Sequence, residues 1–171
     1  CLDDAGYPVR VDPTVGYTTI GATGSNLATD TVRISRSDTP SENGTLDSIS
    51  FYLAPNGTFT YKIRGVLYVN STLALVGNAG TEKTATVNSG ENQWVVMTMP
   101  SNSFSGGTAY ALGVWIGTAG GWTSARYDAD SRTLARDDLI YASTGNPNDP
   151  FVVDSSLTNR NYSIYATYTA S

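Results

Sequence analysis

Histidine is absent from the 171 residues, and cysteine occurs once, at position 1. The first absence removes Ser-His-Asp and Cys-His nucleophilic chemistry, zincin-type metal sites and imidazole acid–base catalysis. The second removes any intrachain disulfide. Charge is also scarce: 15% of residues are Asp, Glu, Lys or Arg, against roughly 25% in ordinary soluble domains. The ten cations are scattered and the net charge is −5, which argues against a nucleic-acid partner, because such binding needs clustered cations to displace counterions. No apolar run approaches the ~20 residues of a membrane-spanning helix. No secretory leader is recognisable, so an exported protein would be read here in mature form.

Cys1 leaves three readings open. It is the lipid-bearing first residue of a mature lipoprotein, an arbitrary starting point, or a thiol that links subunits.

Hydroxyls fill the place of the missing charge, with 18 Ser and 23 Thr. Such a surface is common in secreted and cell-surface β-proteins, so an extracellular or cell-surface location is expected. Eleven Tyr against four Phe favours rings with one wet end, the kind used at interfaces and binding plates.

Period-2 alternation dominates the chain, and no window carries a helical period. "LDSISFYLA" puts Ile49, Phe51 and Leu53 on one face, and "TFTYKIRGVLYV" puts Phe59, Tyr61 and Ile63 inward. "TDTVRISRS", "NQWVVMTMP", "TAYALGVWIG" and "NYSIYATYT" complete the strong strands, "NQWVVMTMP" ending at Pro100. Weaker strands are expected at "YTTIG", "STLALVG", "TATVN" and "DLIYAS". Turn signals such as Asn43-Gly44, Pro55-Asn56-Gly57 and Gly120-Gly121 separate them. About nine or ten short strands without helices imply an all-β sandwich or barrel. Residues 1–16, with two prolines and little alternation, are expected to form an extended arm ahead of a sandwich spanning 17–171. That arm either lies along its own sandwich or adds a strand to a neighbouring subunit.

The series "GTLDSISFYL", "TYKIRGVLYV", "NQWVVMTM", "SGGTAYALGVWIG", "DPF" and "NYSIYATYT" resembles secreted jelly-roll-like β-sandwich domains of bacterial and archaeal extracellular proteins, of the carbohydrate-binding-module kind. It covers roughly residues 17–169. The resemblance implies an antiparallel jelly-roll-like sandwich and a non-catalytic binding or structural role. The hairpin "VNSTLALVGNAG" is shorter than the usual middle of the pattern, which puts any binding contact from it in doubt.

The candidate ligand site centres on "TAYALGVWIG". Tyr110, Leu112, Val114 and Ile116 form the core face, leaving Trp115 on a face otherwise made of Ala and Gly. A large ring among small neighbours offers a plate for the apolar face of a sugar. Trp122 and Tyr127 would extend the plate, Arg126 would contact hydroxyls, and Tyr165 is expected to be exposed on its own strand. Trp115 alternatively lies under a loop or at a subunit contact. Trp94, which shares a face with Val96, reads as core.

Asp128, Asp130, Asp137 and Asp138 are hard oxygen ligands at short spacing, suited to Ca²⁺. The spacing is not that of an EF-hand, and the other reading is a solvated loop neutralised by Arg126, Arg132 and Arg136. A structural Ca²⁺ is also what the resemblance implies. Glycosidase chemistry needs two placed carboxylates, and Glu42, Glu82 and Glu91 all sit in turn-like settings, so no enzyme activity is expected. Glycosylation sequons occur at Asn43, Asn56, Asn70 and Asn161, about the number chance would give.

The expected function is non-catalytic binding of a polysaccharide or surface glycan through Trp115 and its neighbours. The alternative is a structural subunit of an extracellular filament, sheath or virion that self-associates through the N-terminal arm.

Overall fold

A computed structural model describes residues 13–118 and 123–171. Thirteen strands occur among them, more than the nine or ten expected: β1 (Thr14–Gly16), β2 (Thr23–Leu27), β3 (Thr31–Asp38), β4 (Gly44–Leu53), β5 (Phe59–Val69), β6 (Lys83–Val87), β7 (Gln93–Phe104), β8 (Tyr110–Thr118), β9 (Thr123–Asp128), β10 (Thr133–Asp137), β11 (Ser155–Thr158), β12 (Asn161–Tyr162) and β13 (Ile164–Ala170). All pairings are antiparallel. One sheet has seven strands, in the order β1-β13-β4-β9-β12, with β7 on β4 and β2 on β9; the other has six, β11-β10-β3-β8-β5-β6. The protein is thus an all-β antiparallel sandwich, an architecture compatible with jelly-roll-like domains.

The inward faces follow the alternation. Ile49, Phe51 and Met97 from one sheet meet Leu112, Val114 and Ile116 from the other, all buried. β7 does not stop at Pro100 but runs on to Phe104. In the register it pairs only with β4, and an edge strand tolerates a residue that lacks an N–H.

Of the expected arm, residues 14–16 are β1 and pair with Tyr165–Thr167 of the same chain; residues 1–12 lie outside the described residues.

A second apolar cluster lies on the outer side of the six-stranded sheet. Val32, Ile34, Val66, Tyr68, Ala111 and Trp115 point away from the main core and are still buried. Two loops, 70–82 and 138–154, fold over them, contributing Leu73, Leu75, Leu139 and Tyr141. Neither "STLALVG" nor "DLIYAS" forms a strand as expected; the first makes only a single bridge, Tyr68 to Leu75.

The loops are tied to each other and to the sheet. Phe151 N–H donates to Leu73 O at 2.8 Å, and Asn146 Nδ2 to Asn78 Oδ1 at 2.8 Å. Buried Arg64 donates through Nε to Gly80 O (2.7 Å) and through Nη1 to Gly145 O (2.8 Å) and Ala142 O (3.2 Å). One cation thereby satisfies carbonyls of both loops. Gly117 makes room for the cover, because a Cβ there would fall 2.2 Å from the Tyr141 ring.

Between the sheets sits one buried acid. β3 bulges between Ser35 and Asp38, with Ser37 in left-handed backbone (φ 76°). Asp38 is buried beside Val15, Leu46, Leu67, Tyr110 and Ala166. The Arg132 guanidinium pairs with its Oδ1, while Oδ2 has no hydrogen-bond partner. Burial outweighs the Arg132 attraction and pushes the Asp38 carboxyl up to about 6.

Candidate functional site

Trp115 stands on the outward face as its alternation requires, but it is 2% exposed. Its indole Nε1 donates to Leu139 O at 3.4 Å, Tyr141 packs against it at 5.3 Å between ring centroids, and the Arg64 guanidinium lies 5.7 Å from its centroid. The sugar plate expected there is therefore closed by the two loops. Trp122 lies outside the described residues. Tyr127 turns toward the main core and is partly buried, with the Arg160 guanidinium 4.6 Å from its ring centroid. Arg126 is held to Ala22 O at 3.3 Å. Trp115, Tyr127 and Arg126 do not come together as one plate.

An aromatic surface exists on the opposite side of the molecule, on the outer face of the seven-stranded sheet. Its rows can be read from the register. Trp94 faces Tyr52, Val96 faces Ser50, and Thr98 faces Ser48. Across β4, Tyr165 faces Ser50 and Thr167 faces Ser48. On the far side, Gly16 and Thr14 face Tyr165 and Thr167. Trp94 was expected in the core; it does share a face with Val96, but that face is the outer one, because Val95, Met97 and Met99 take the core positions.

Small residues let the rings gather. Ser50 lies between Val96 and Tyr165, so Trp94 leans diagonally across it, as neighbouring strands permit for long side chains. The Trp94 ring meets Tyr165 at 5.0 Å and Tyr52 at 5.2 Å, each at 68°, the edge-to-face geometry aromatic quadrupoles favour. Ser50 is buried in their midst and Tyr52 is almost covered, while Trp94 and Tyr165 stay half-exposed and Val96 is 50% exposed. The Gly21 N–H donates to Ser163 Oγ at 2.8 Å, which ties the 20–22 segment to the sheet at Ser163; Ile20 in that segment is 49% exposed. Among the described residues, Tyr165 is the one expected ligand residue that belongs to this surface. The half-exposed Trp94 was missed because "WVVM" is apolar on both faces, and only its pairing with Tyr52 and Ser50 reveals its side.

The four aspartates expected to bind Ca²⁺ do not converge, and no cluster of three or more potential metal ligands occurs among the described residues. Asp128 accepts from Ala22 N–H at 2.8 Å and from Tyr17 O–H at 2.7 Å, and these bonds hold its carboxyl below the usual range, the backbone bond most strongly. Asp130 pairs with Arg132 at 3.4 Å and accepts from Asn161 at 3.2 Å. Asp137 accepts from Asn148 at 2.8 Å, its carboxyl raised by burial. Asp138 pairs with Arg136 at 2.7 Å. Each carboxylate has its own local partner, and the arginine-neutralised reading of this stretch describes two of them, Asp130 and Asp138.

Among the sequons, Asn43 and Asn56 are exposed, and Asn70 is half-buried while accepting from Arg36 Nε at 2.9 Å. Asn161 is 0% exposed and bonded to Ser35 at 2.8 Å, so it is not available as an acceptor in the folded protein.

Fold and surface define the class as an antiparallel β-sandwich with one loop-covered outer face and one aromatic outer face. Comparison with models of known protein families finds no match, and no curated protein is similar to the chain. No helix among the described residues is long and apolar enough to cross a membrane.

Proposed function

We propose that the protein is a non-catalytic, extracellular glycan-binding module whose sugar-stacking surface is the outer face of the seven-stranded sheet, with Trp94 and Tyr165 at its centre. The observation that carries this reading is a partly exposed Trp94 braced by Tyr52 and Tyr165 on a sheet face whose other side chains are small or hydroxylated. Bracing fixes the rings before a ligand arrives, so little side-chain entropy is lost on contact. Hydroxyls of Ser48, Thr98 and Thr167 supply both donors and acceptors beside the rings. Retention on a panel of immobilised polysaccharides tests the reading. The wild type should be retained on at least one of them, and Trp94→Ala should weaken retention about tenfold, equivalent to ~1.4 kcal/mol. Trp115→Phe should bind like the wild type; equal loss from both substitutions would remove this face from the explanation.

A second reading, a self-associating subunit of a surface assembly, is favoured by a different region. Exposed Ile140, Val152, Val153 and Leu157 adjoin β11, whose register pairs it only with β10. Asp138 N–H bonds Asp154 Oδ2 at 2.6 Å, which draws the 138 and 154 segments together. An apolar patch beside a strand edge suits strand addition. Light scattering distinguishes the two readings. A glycan-binding module runs as a monomer, whereas an assembling subunit forms polymers that are lost when residues 1–12 are removed, a trimming that leaves β1 in place.

A further inference from the structure

We infer that the ligand of the Trp94–Tyr165 face is a neutral saccharide rather than an acidic one, an inference that rests on the glycan-binding reading above. The rows that make the face are Trp94 and Tyr52; Val96, Ser50, Tyr165 and Gly16; and Thr98, Ser48, Thr167 and Thr14. Every one of these side chains is aromatic, aliphatic or hydroxylated, or is a bare glycine. Among the described residues, charge lies at the borders. Asp47 sits beside Ser48 and accepts from Thr169 Oγ1 at 3.0 Å, adding a negative group at one end. Arg126 lies on β9, its guanidinium engaged by Ala22 O at 3.3 Å, and the neighbouring Gly21 N–H is bonded to Ser163 Oγ at 2.8 Å.

A carboxylate or sulfate laid on these rings would lose water without gaining a cation, and burying an uncompensated charge is costly. It would also approach a chain of net charge −5, with Asp47 at the rim. A neutral sugar meets neither penalty. Its apolar ring face covers Trp94 and Tyr165, and its hydroxyls exchange water for Ser and Thr hydroxyls that both donate and accept. Such binding contains almost no long-range Coulomb contribution, so salt should leave it unchanged.

The test is affinity electrophoresis in gels containing a neutral set (β-glucan, xylan, galactomannan) and an acidic set (polygalacturonate, alginate, chondroitin sulfate). Each gel is run at about 50 mM and about 500 mM NaCl, bracketing strong and weak screening. The expected result is retardation by one or more neutral polymers, equal at both salt levels, and weakened at least about tenfold in Trp94→Ala. Tyr165→Ser takes its place if Trp94→Ala is not folded at the temperature of the assay. Preferential, salt-sensitive retardation by an acidic polymer that also depends on Trp94 would overturn neutrality and leave the glycan-binding reading standing. No retardation by any polymer in either set would overturn the glycan-binding reading itself.

Discussion

The two outer faces of the sandwich carry a tryptophan each, at Trp94 and Trp115, and they have opposite fates. On the six-stranded sheet, Trp115 lies among Val32, Ile34 and Val66, and the 70–82 and 138–154 loops seal it. On the seven-stranded sheet, Trp94 lies among Tyr52, Ser50, Val96 and Tyr165, and Trp94, Val96 and Tyr165 stay accessible. The neighbours explain the contrast. A face rich in β-branched aliphatics must be covered, since exposing it costs about 25 cal/mol per Å². A face of hydroxyls and tyrosines has polar atoms that water already satisfies, and can stay open. The composition around a ring, rather than the ring itself, marks whether it belongs to a core or to a surface.

The largest expected effect comes from breaking the covered face. Trp115→Ala removes a buried indole from between sheet and loops and should destabilise the protein by about 3–5 kcal/mol, the usual range for large-to-small core changes. For a chain of this size that corresponds to a melting temperature lower by roughly 6–20 °C. Hydrogen exchange should rise first in the two covering loops. A Trp115→Ala protein that melts within a degree or two of wild type would mean that the loops do not seal this face.

Much of this was legible in the sequence, and the illegible part has a physical pattern. Alternation in β4, β5, β8 and β13 gave the inward sets Ile49/Phe51, Tyr61/Ile63, Leu112/Val114 and Ile164/Ala166, because residues two apart must share a face. Parity tells which residues travel together, and it correctly separated Trp115 from Leu112 and Val114. It says nothing about what lies over a face, since a covering loop is fixed by contacts far along the chain. The loops themselves read as strands for the same reason: Leu73, Leu75, Leu139 and Tyr141 are spaced to plug a sheet, and such spacing resembles alternation. Conversely "TSARYD", "TLARD" and "SSLT" escaped notice as β9, β10 and β11, being short and poor in bulky apolar residues. The aspartate stretch looked like a metal loop because charge spacing is visible in sequence, while the partners Tyr17, Ala22, Asn148 and Asn161 are not.

A smaller effect should be common to both faces and so tests whether the interior between them is intact in the variants. Asp38 holds its proton up to about pH 6 in the folded protein and to about pH 4 in an unfolded chain. A carboxyl raised in this way contributes stability fully below about pH 4, and the contribution is lost as pH rises through about 6. The swing from this group is at most about 3 kcal/mol. Arg132 opposes it by favouring the charged form, and Asp130 adds to it. Urea unfolding at pH 4 to 8 should therefore show a component that Asp38→Asn removes. The same component should persist, with the same slope, in Trp94→Ala and in any Trp115 variant that folds. If Asp38→Asn leaves the pH profile unchanged, the carboxyl is ionised throughout and the Arg132 pair outweighs burial.

The smallest stability effect should come from the open face, and its smallness is what separates it from the covered one. Trp94 is only partly buried, so Trp94→Ala forfeits mainly its contacts with Tyr52 and Tyr165, each worth about 0.5–1.5 kcal/mol beyond area. A loss of about 1–2 kcal/mol is expected, well below that of Trp115→Ala. Fluorescence sharpens the contrast without touching stability. Acrylamide should quench Trp94 readily and Trp115 hardly at all, so in a Trp122→Phe background, which removes the third indole, Trp94→Phe should lower the quenching constant and Trp115→Phe should raise it. A polysaccharide that covers the seven-stranded face should protect the Trp115→Phe protein from quencher and leave the Trp94→Phe protein unprotected. Protection of both variants would place the bound ligand away from Trp94, and the two faces would then differ in packing alone.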